Sequence, residues 1–230
     1  MPEFDAKTFS GRVRLFPLPN LVMFPHVLQP LHVFEPRYRE LLSEAMAGDR
    51  LIAMAVLAPG WEPDYEGRPA VYPAACLGRV AAHTPLSDGR SNLVLAGMKR
   101  LRLVEELPAD KPFREARAEL RDDVYAAEAS ARQASPHGKL IGHIERMLAQ
   151  SKKGKDELNQ LLSGEQPLGT LTDLVAFGLR LSIAIKVQLL GETDVYRRAE
   201  LLLSELSEFR SSSDWRTSDP TSFPPNFSPN

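Results

Sequence analysis

The chain has one cysteine, Cys76, in 230 residues. No intramolecular disulfide is possible, which fits a reducing, cytoplasmic setting. Aromatic residues make up only 7% of the chain. No apolar run reaches the roughly 18–20 residues needed to span a bilayer, so no membrane association is expected. The N-terminal "MPEFDAKTFSGRVR" has early acidic residues where a signal peptide would have its apolar segment. A surplus of one charge is also lacking. Lys and Arg number 28 against 30 Asp and Glu, a net charge of −2. That balance gives no reason to expect nucleic acid as the main partner.

Catalytic signatures are scarce too. No Gly-x-x-x-x-Gly-Lys-Ser/Thr loop is present to cradle phosphates. "HGKL" lacks the upstream glycine and the following hydroxyl. "SKKGK" sets a serine beside lysines on a polar stretch, which does not activate a nucleophile. The histidines His26, His32, His83, His137 and His143 contain no i, i+4 pair, and one cysteine cannot make a Cys-x-x-Cys. Cys76 reads as a small buried residue. The expectation is a protein without catalytic residues, metal or cofactor.

What is plentiful is proline, 19 residues. Several interrupt one apolar stretch, "FPLPNLVMFPHVLQPLHVFEPRYRELL", from Phe16 to Leu42. Proline is kept out of sheet centres and helix interiors, so these mark strand starts, edges and corners. Pro17 and Pro19 are expected to end "RVRLF", Pro25 to turn the chain, and Pro30 to sit at a bulge or an edge. Tyr38, Leu41, Leu42, Ala45 and Met46 then share one helical face. Pro36 suits the first helical position and Gly48 the stop. Glu35 is expected at the N-cap, with Phe34 packing down as a staple.

Around that helix the pattern is strand-like. "LIAMAVL" reads as a strand buried on both faces. "ACLGRVAAH", "SNLVLAG", "LRLVEEL" and "FREARAEL" follow, with a hairpin at Asp88-Gly89 and a turn or bulge at Gly97. Beyond residue 123 the period becomes helical. "HGKLIGHIERMLAQS", "KKGKDELNQLLSG", "GTLTDLVAFGL", "SIAIKVQLLG" and "TDVYRRAELLLSEL" read as helices. Gly191 is the expected C′ residue of the fourth and Thr193 the N-cap of the fifth, with Asp194 in its first turn. The fifth should bury Val195, Ala199, Leu202, Leu203 and Leu206 and turn Arg197, Arg198 and Glu205 to water. The Ser-, Pro- and Asn-rich end reads as disordered.

The ordered series Pro-Leu, Phe-Pro, Pro-Leu and Phe-Glu-Pro-Arg-Tyr carries a family resemblance, continued by "CLGRV", "DGRSNLVLAGMKRLRLVEEL", "FREARAEL", "LTDLVAFGL" and "KVQLLGETDVYRRAELLLSEL". From Arg12 to Leu206 the chain resembles the substrate-binding LON domain. This is the N-terminal domain of ATP-dependent Lon proteases, which also occurs as a standalone bacterial protein. The resemblance implies an α+β fold: a PUA-like β-barrel with one inserted helix, then a C-terminal helical bundle. The expected division is 1–11 flexible N-terminus, 12–123 barrel, 124–207 bundle and 208–230 disordered tail. One departure is Ile183-Ala184-Ile185, where the family often has acidic residues before the lysine. The implied function is a non-enzymatic binding module for unfolded polypeptide or a protein partner in quality control, with a protease or chaperone among the conceivable partners. The alternative is a small-molecule or RNA-sensing regulator.

Three features invite a binding role. The loop Pro59–Pro73 carries Trp61, Tyr65 and Tyr72, aromatics that serve as anchors or simply cover a barrel end. Lys99, Arg100, Arg102, Arg114, Arg117 and Arg121 form a basic cluster. Glu105, Glu106, Glu115 and Glu119 lie among them, which points to cross-strand ion pairs rather than an RNA footprint. The tail carries Trp215, Phe223 and Phe227. Phe34, Glu35, Pro36, Arg37 and Tyr38 carry the resemblance and are expected to be structural.

Overall fold

The structure is a computed structural model describing residues 4–125, 136, 138–142 and 166–208. The expectations for the 126–135 stretch, for "KKGKDELNQLLSG" and for the tail with Trp215, Phe223 and Phe227 fall outside these residues. The chain divides into two compact units between Asp122 and Asp123.

The first unit contains β1 (Arg12–Leu18), β2 (Leu28–Val33), α1 (Pro36–Ala47), β3 (Leu51–Val56), β4 (Ala74–Pro85), β5 (Ser91–Glu106) and β6 (Arg114–Arg121). The six strands run in the order β2-β5-β4-β3-β1-β6, and β6 also pairs with β5. The strands from β5 round to β6 therefore form a barrel-like ring, with β2 attached outside it along the first half of β5. β1 and β3 are parallel; the other pairs are antiparallel.

The ring is narrow, and the sequence fits it. Val13, Leu15, Leu77 and Leu101 fill the interior between Ala53, Ala55, Ala75, Ala116 and Ala118. Small residues at alternate positions let facing strands approach without overpacking. On β3 the intervening Ile52, Met54 and Val56 are buried as well, as a continuous apolar run implies. On β1, Phe16 stacks on Tyr38 of α1 with ring centroids 4.1 Å apart.

Pro17 and Pro30 sit where their missing donors do no harm. β1 does not end at Pro17 but runs through it, paired with Ala55 of β3. The Leu57 N–H donates to the Leu18 carbonyl, so Leu18 faces β3 and Pro17 faces away. On that side β6 pairs only as far as Leu15. The Pro17 carbonyl is satisfied by the Tyr38 hydroxyl at 3.0 Å. Pro30 is on the edge strand β2. The Gly97 N–H donates to Val27, which turns residues 29, 31 and 33 toward β5 and Pro30 toward the free edge.

Gly97 is not a turn between two strands. β5 runs 16 residues straight through it. His26 and Val27 together oppose Gly97: His26 donates to its carbonyl (2.9 Å) and Val27 accepts from its N–H (2.8 Å). His26 takes the left-handed conformation, φ 67°, as the first residue of such a bulge. A Cβ on Gly97 would lie 2.1 Å from the Phe24 carbonyl oxygen, so no other residue fits. The expected Asp88-Gly89 hairpin is present, with Gly89 at φ 81°.

In the second unit, residues 138–142 are helical and Leu140 is buried. They are followed by α2 (Leu168–Gly178), α3 (Ile183–Gly191) and α4 (Val195–Glu208). Ser182 caps α3 by accepting from the Ile185 N–H at 3.3 Å, without any acidic partner. Gly191 is the last helical residue rather than the one beyond. Lys186 donates to the Phe177 carbonyl at the end of α2, and burial lowers its pKa. The N-cap of α4 is Asp194, not Thr193, because its carboxylate reaches the N–H groups of Tyr196 and Arg197.

The α4 face also departs from expectation. Val195, Ala199, Leu202 and Leu206 are buried, but so is Arg198, only 1% exposed. Its guanidinium makes two bonds to Asp123 (2.9 and 2.8 Å) and others to Thr172, Gly169 and Glu192. Asp173, fully buried, lies 3.5 Å away. Arg198 shares the helical face of Val195 and Leu202, so periodicity puts it inside and charge alone had suggested the surface.

Candidate functional site

The first candidate surface is built on the start of α1. Glu35 has N-cap backbone geometry, φ −64° and ψ 134°, and Pro36 follows at the first helical position. The Glu35 carboxylate does not cap the helix. It accepts from Arg37 Nε (3.0 Å) and from the Tyr65 hydroxyl (2.9 Å). Arg37 donates onward to the Tyr65 carbonyl at 3.1 Å. Its guanidinium carbon lies 4.7 Å from the Tyr38 ring centre and 4.8 Å from that of Tyr65. Burial and the bond to Glu35 push the Tyr65 phenol pKa up, so it remains a donor.

These contacts fasten the aromatic loop. Its neck is zipped by Ala58 N–H to Ala70 (2.8 Å) and Tyr72 N–H to Val56 (2.9 Å). Arg68 adds bonds to Glu106 and to the Leu107 carbonyl. Trp61 meets Tyr65 edge to face, centroids 5.6 Å apart. Tyr72 belongs to the neck instead. Trp61, Tyr65 and Tyr72 are all half-buried, so this loop is an ordered one, held by side chains of the family motif.

The second surface was not anticipated from the sequence. Phe34 does not pack down as a staple; it is 48% exposed, and its ring lies 6.0 Å from that of His32. Leu28, at the other end of β2, is 63% exposed. Alternation puts Leu28, Pro30, His32 and Phe34 on one face, while Leu31 and Val33 are buried on the other. Across the ladder lie Ala96 and Val94 of β5, and Ala82 of β4 beyond Val94. The result is an apolar sheet face at the edge of the sheet. The alternation of Leu28, Pro30, His32 and Phe34 on one strand face was the available signal, obscured because Phe34 reads as a helix staple.

Four of the six residues of the basic cluster have carboxylate partners in the first unit. Arg102 bridges Glu119 (2.9 Å), Arg117 bridges Glu105 (2.9 Å), and Lys99 bridges Asp122 (2.6 Å). Arg114 bonds Glu106. For Arg102, Arg114 and Arg117 this is the cross-strand pairing expected from the interleaved carboxylates. Among the described residues, no group of three His, Cys, Asp or Glu is placed to hold a metal ion. Among them, too, no helix is long and apolar enough to cross a membrane.

The family model of the ATP-dependent protease La (LON) substrate-binding domain matches residues 12–208. The chain belongs to this family. Its LON domain is 26% identical over 194 residues to the Lon protease of Heliobacterium modesticaldum, covering 84% of this chain and 23% of that protein. It is 28% identical over 193 residues to the Lon protease of Xanthomonas oryzae pv. oryzae, covering 82% and 22%. The chain thus spans less than a quarter of the length of these relatives. Two solved structures share the α+β fold. A Lon N-terminal domain protein from Xanthomonas campestris has a TM-score of 0.59 at 24% identity, covering 84% of this chain and 97% of that one. The N-terminal domain of a Mycobacterium avium complex Lon protease has a TM-score of 0.65 at 17% identity, covering 86% and 98%. As a LON domain, the chain is a substrate-binding module of the Lon type.

Proposed function

We propose that this LON domain is a non-enzymatic module that holds unfolded polypeptide in the cytoplasm on behalf of a protease or chaperone. The observation that carries the reading is the apolar outer face of β2, with Leu28 and Phe34 exposed at its two ends. An unfolded chain differs from a folded one chiefly in its exposed apolar side chains. A flat apolar face rimmed by polar groups binds such segments without demanding a sequence. Pro30 takes a donor from the free edge of β2, so contact runs through the side-chain face rather than through strand addition. The Trp61–Tyr65 pair is proposed as a second, lesser contact surface.

The test is fluorescence anisotropy with a labelled, permanently unfolded polypeptide. Burying a Leu or Phe is worth roughly 1.5–3 kcal/mol, so the double variant Leu28→Asp, Phe34→Ser should bind at least about tenfold more weakly with an unchanged melting temperature. Unchanged affinity in that variant rejects the β2 face. Loss of affinity in Trp61→Ala alone moves the site to the loop.

A further inference from the structure

We propose that the segment following α4, residues 209–230, seats its stretch from Phe223 to Phe227 on the outer face of β2 and competes there with polypeptide clients. This rests on the reading of that face as the polypeptide-binding surface and adds its regulation.

The face asks for one kind of occupant. Leu28, Pro30, His32 and Phe34 line it on β2, with Val94 and Ala96 beside them on β5. None of these six is Asp, Glu, Lys or Arg. Their one titratable group, His32, is hydrogen-bonded to Asn92 across 2.7 Å and lies 6.0 Å from the Phe34 ring. The neighbouring edge is closed to strand addition. Pro30 brings no N–H to it, and the Pro30 carbonyl already accepts from the Gln29 side-chain amide at 2.8 Å. The occupant therefore binds through uncharged, apolar side chains laid over the face, without a ladder of backbone hydrogen bonds.

The sequence after Glu208 meets those terms. Phe209, Trp215, Phe223 and Phe227 put four aromatics into 22 residues, in a chain that is only 7% aromatic. Residues 220–230 carry no charge at all. A stretch kept only for solubility would be charged rather than aromatic. Pro224 and Pro225 separate Phe223 from Phe227. Two prolines favour the polyproline II conformation and remove two donors, so this stretch also binds through side chains rather than as a strand. At about 3.1 Å per residue, the two phenylalanines stand about 12 Å apart. Leu28 and Phe34 stand about 20 Å apart along β2. Both rings fit within the face, and the prolines suit the His32–Phe34 ring pair as proline-rich ligands suit aromatic platforms. Phe223 lies 15 residues beyond Glu208. That is a reach of about 50 Å, enough to cross a folded unit of this size.

The experiment compares the full chain with its Phe223→Ser, Phe227→Ser variant, using the labelled unfolded polypeptide as client. A segment of about 0.25 mM affinity, tethered at about 1 mM effective concentration, weakens a client about fivefold. The variant should therefore bind the client about fivefold more tightly. A labelled peptide of residues 218–230 should bind the variant more tightly than the unaltered chain, and neither once Leu28→Asp, Phe34→Ser is added. Client affinity left unchanged by Phe223→Ser, Phe227→Ser overturns the proposal. So does a peptide that does not bind the variant, or that binds equally with the β2 substitutions in place. These results leave the β2 reading standing, which fails on its own measurement, a client affinity unchanged by Leu28→Asp, Phe34→Ser. Light scattering tests the other occupant. Mass that rises with concentration in the unaltered chain, and not in the Phe223→Ser, Phe227→Ser variant, assigns the segment to the face of a second copy and overturns the intramolecular seat.

Discussion

The Tyr65 hydroxyl donates to the Glu35 carboxylate across 2.9 Å, joining residues 30 positions apart in sequence. This one bond ties the family motif at the start of α1 to the aromatic loop, and Arg37 lies between the two rings beside it.

Tyr65→Phe removes that bond and leaves the ring. A hydrogen bond to a charged group is worth about 1.5–3 kcal/mol, and partial exposure puts the expected loss at the low end. Glu35→Gln should cost more, since it also strips Arg37 of its counter-ion. Urea unfolding of both variants measures this. A normal midpoint in Glu35→Gln with lost peptide binding would instead make the motif a contact surface.

Gly97→Ala should fail to fold or unfold at much lower denaturant. Its Cβ meets backbone, the Phe24 carbonyl, which cannot swing aside as a side chain does. Gly60→Ala provides the comparison: it has φ 88° but nothing within 4 Å, so only the left-handed backbone cost of roughly 1 kcal/mol applies.

Arg198→Met should destabilise the helical unit by about 3–5 kcal/mol, because Asp123 and Asp173 are left as carboxylates facing a lost cation. Hydrogen exchange resolves the effect by region. Protection should fall in α2, α3 and α4 and remain in β3 and β4.

Acid should loosen the face where β6 meets β1. The hydrogen bond from Lys111, helped by one from Arg14, holds the Glu44 carboxyl below its usual range. Burial opposes the charge of Glu115, and bonds from Arg12 and Lys111 outweigh it, so its pKa is lowered too. Both groups bind protons more weakly in the folded than in the unfolded state. Their contribution is therefore complete above the unfolded value of about 4.3 and is lost as pH falls through the folded values. Melting temperature should drop on acidification below that point, and less so in Glu115→Gln.

Pro30→Thr restores an N–H to the free edge of β2 beside exposed Leu28 and Phe34. The variant should self-associate through strand pairing, seen as concentration-dependent mass in light scattering. A monomeric variant at all concentrations would show that Pro30 does not guard the edge.

Much of this protein was legible in one dimension. The ordered prolines and Phe-Glu-Pro-Arg-Tyr identified the family, and local rules placed α1, the Asp88-Gly89 hairpin, the doubly buried β3 and the α4 stripe. Such features depend on neighbours within a few residues, so the chain carries them openly. Tertiary structure alone decided where charges and edges fall. Periodicity puts Arg198 on the inner face of α4, but the partners that let its charge stay there, Asp123 and Thr172, come from distant positions. Glu35 serves Tyr65 rather than the helix end because the loop folds back onto it. Phe34 and Leu28 stand exposed because the fold packs the other face of β2, with Leu31 and Val33, into the core. Each of these depends on which distant segment supplies a partner, and a linear pattern carries no record of that.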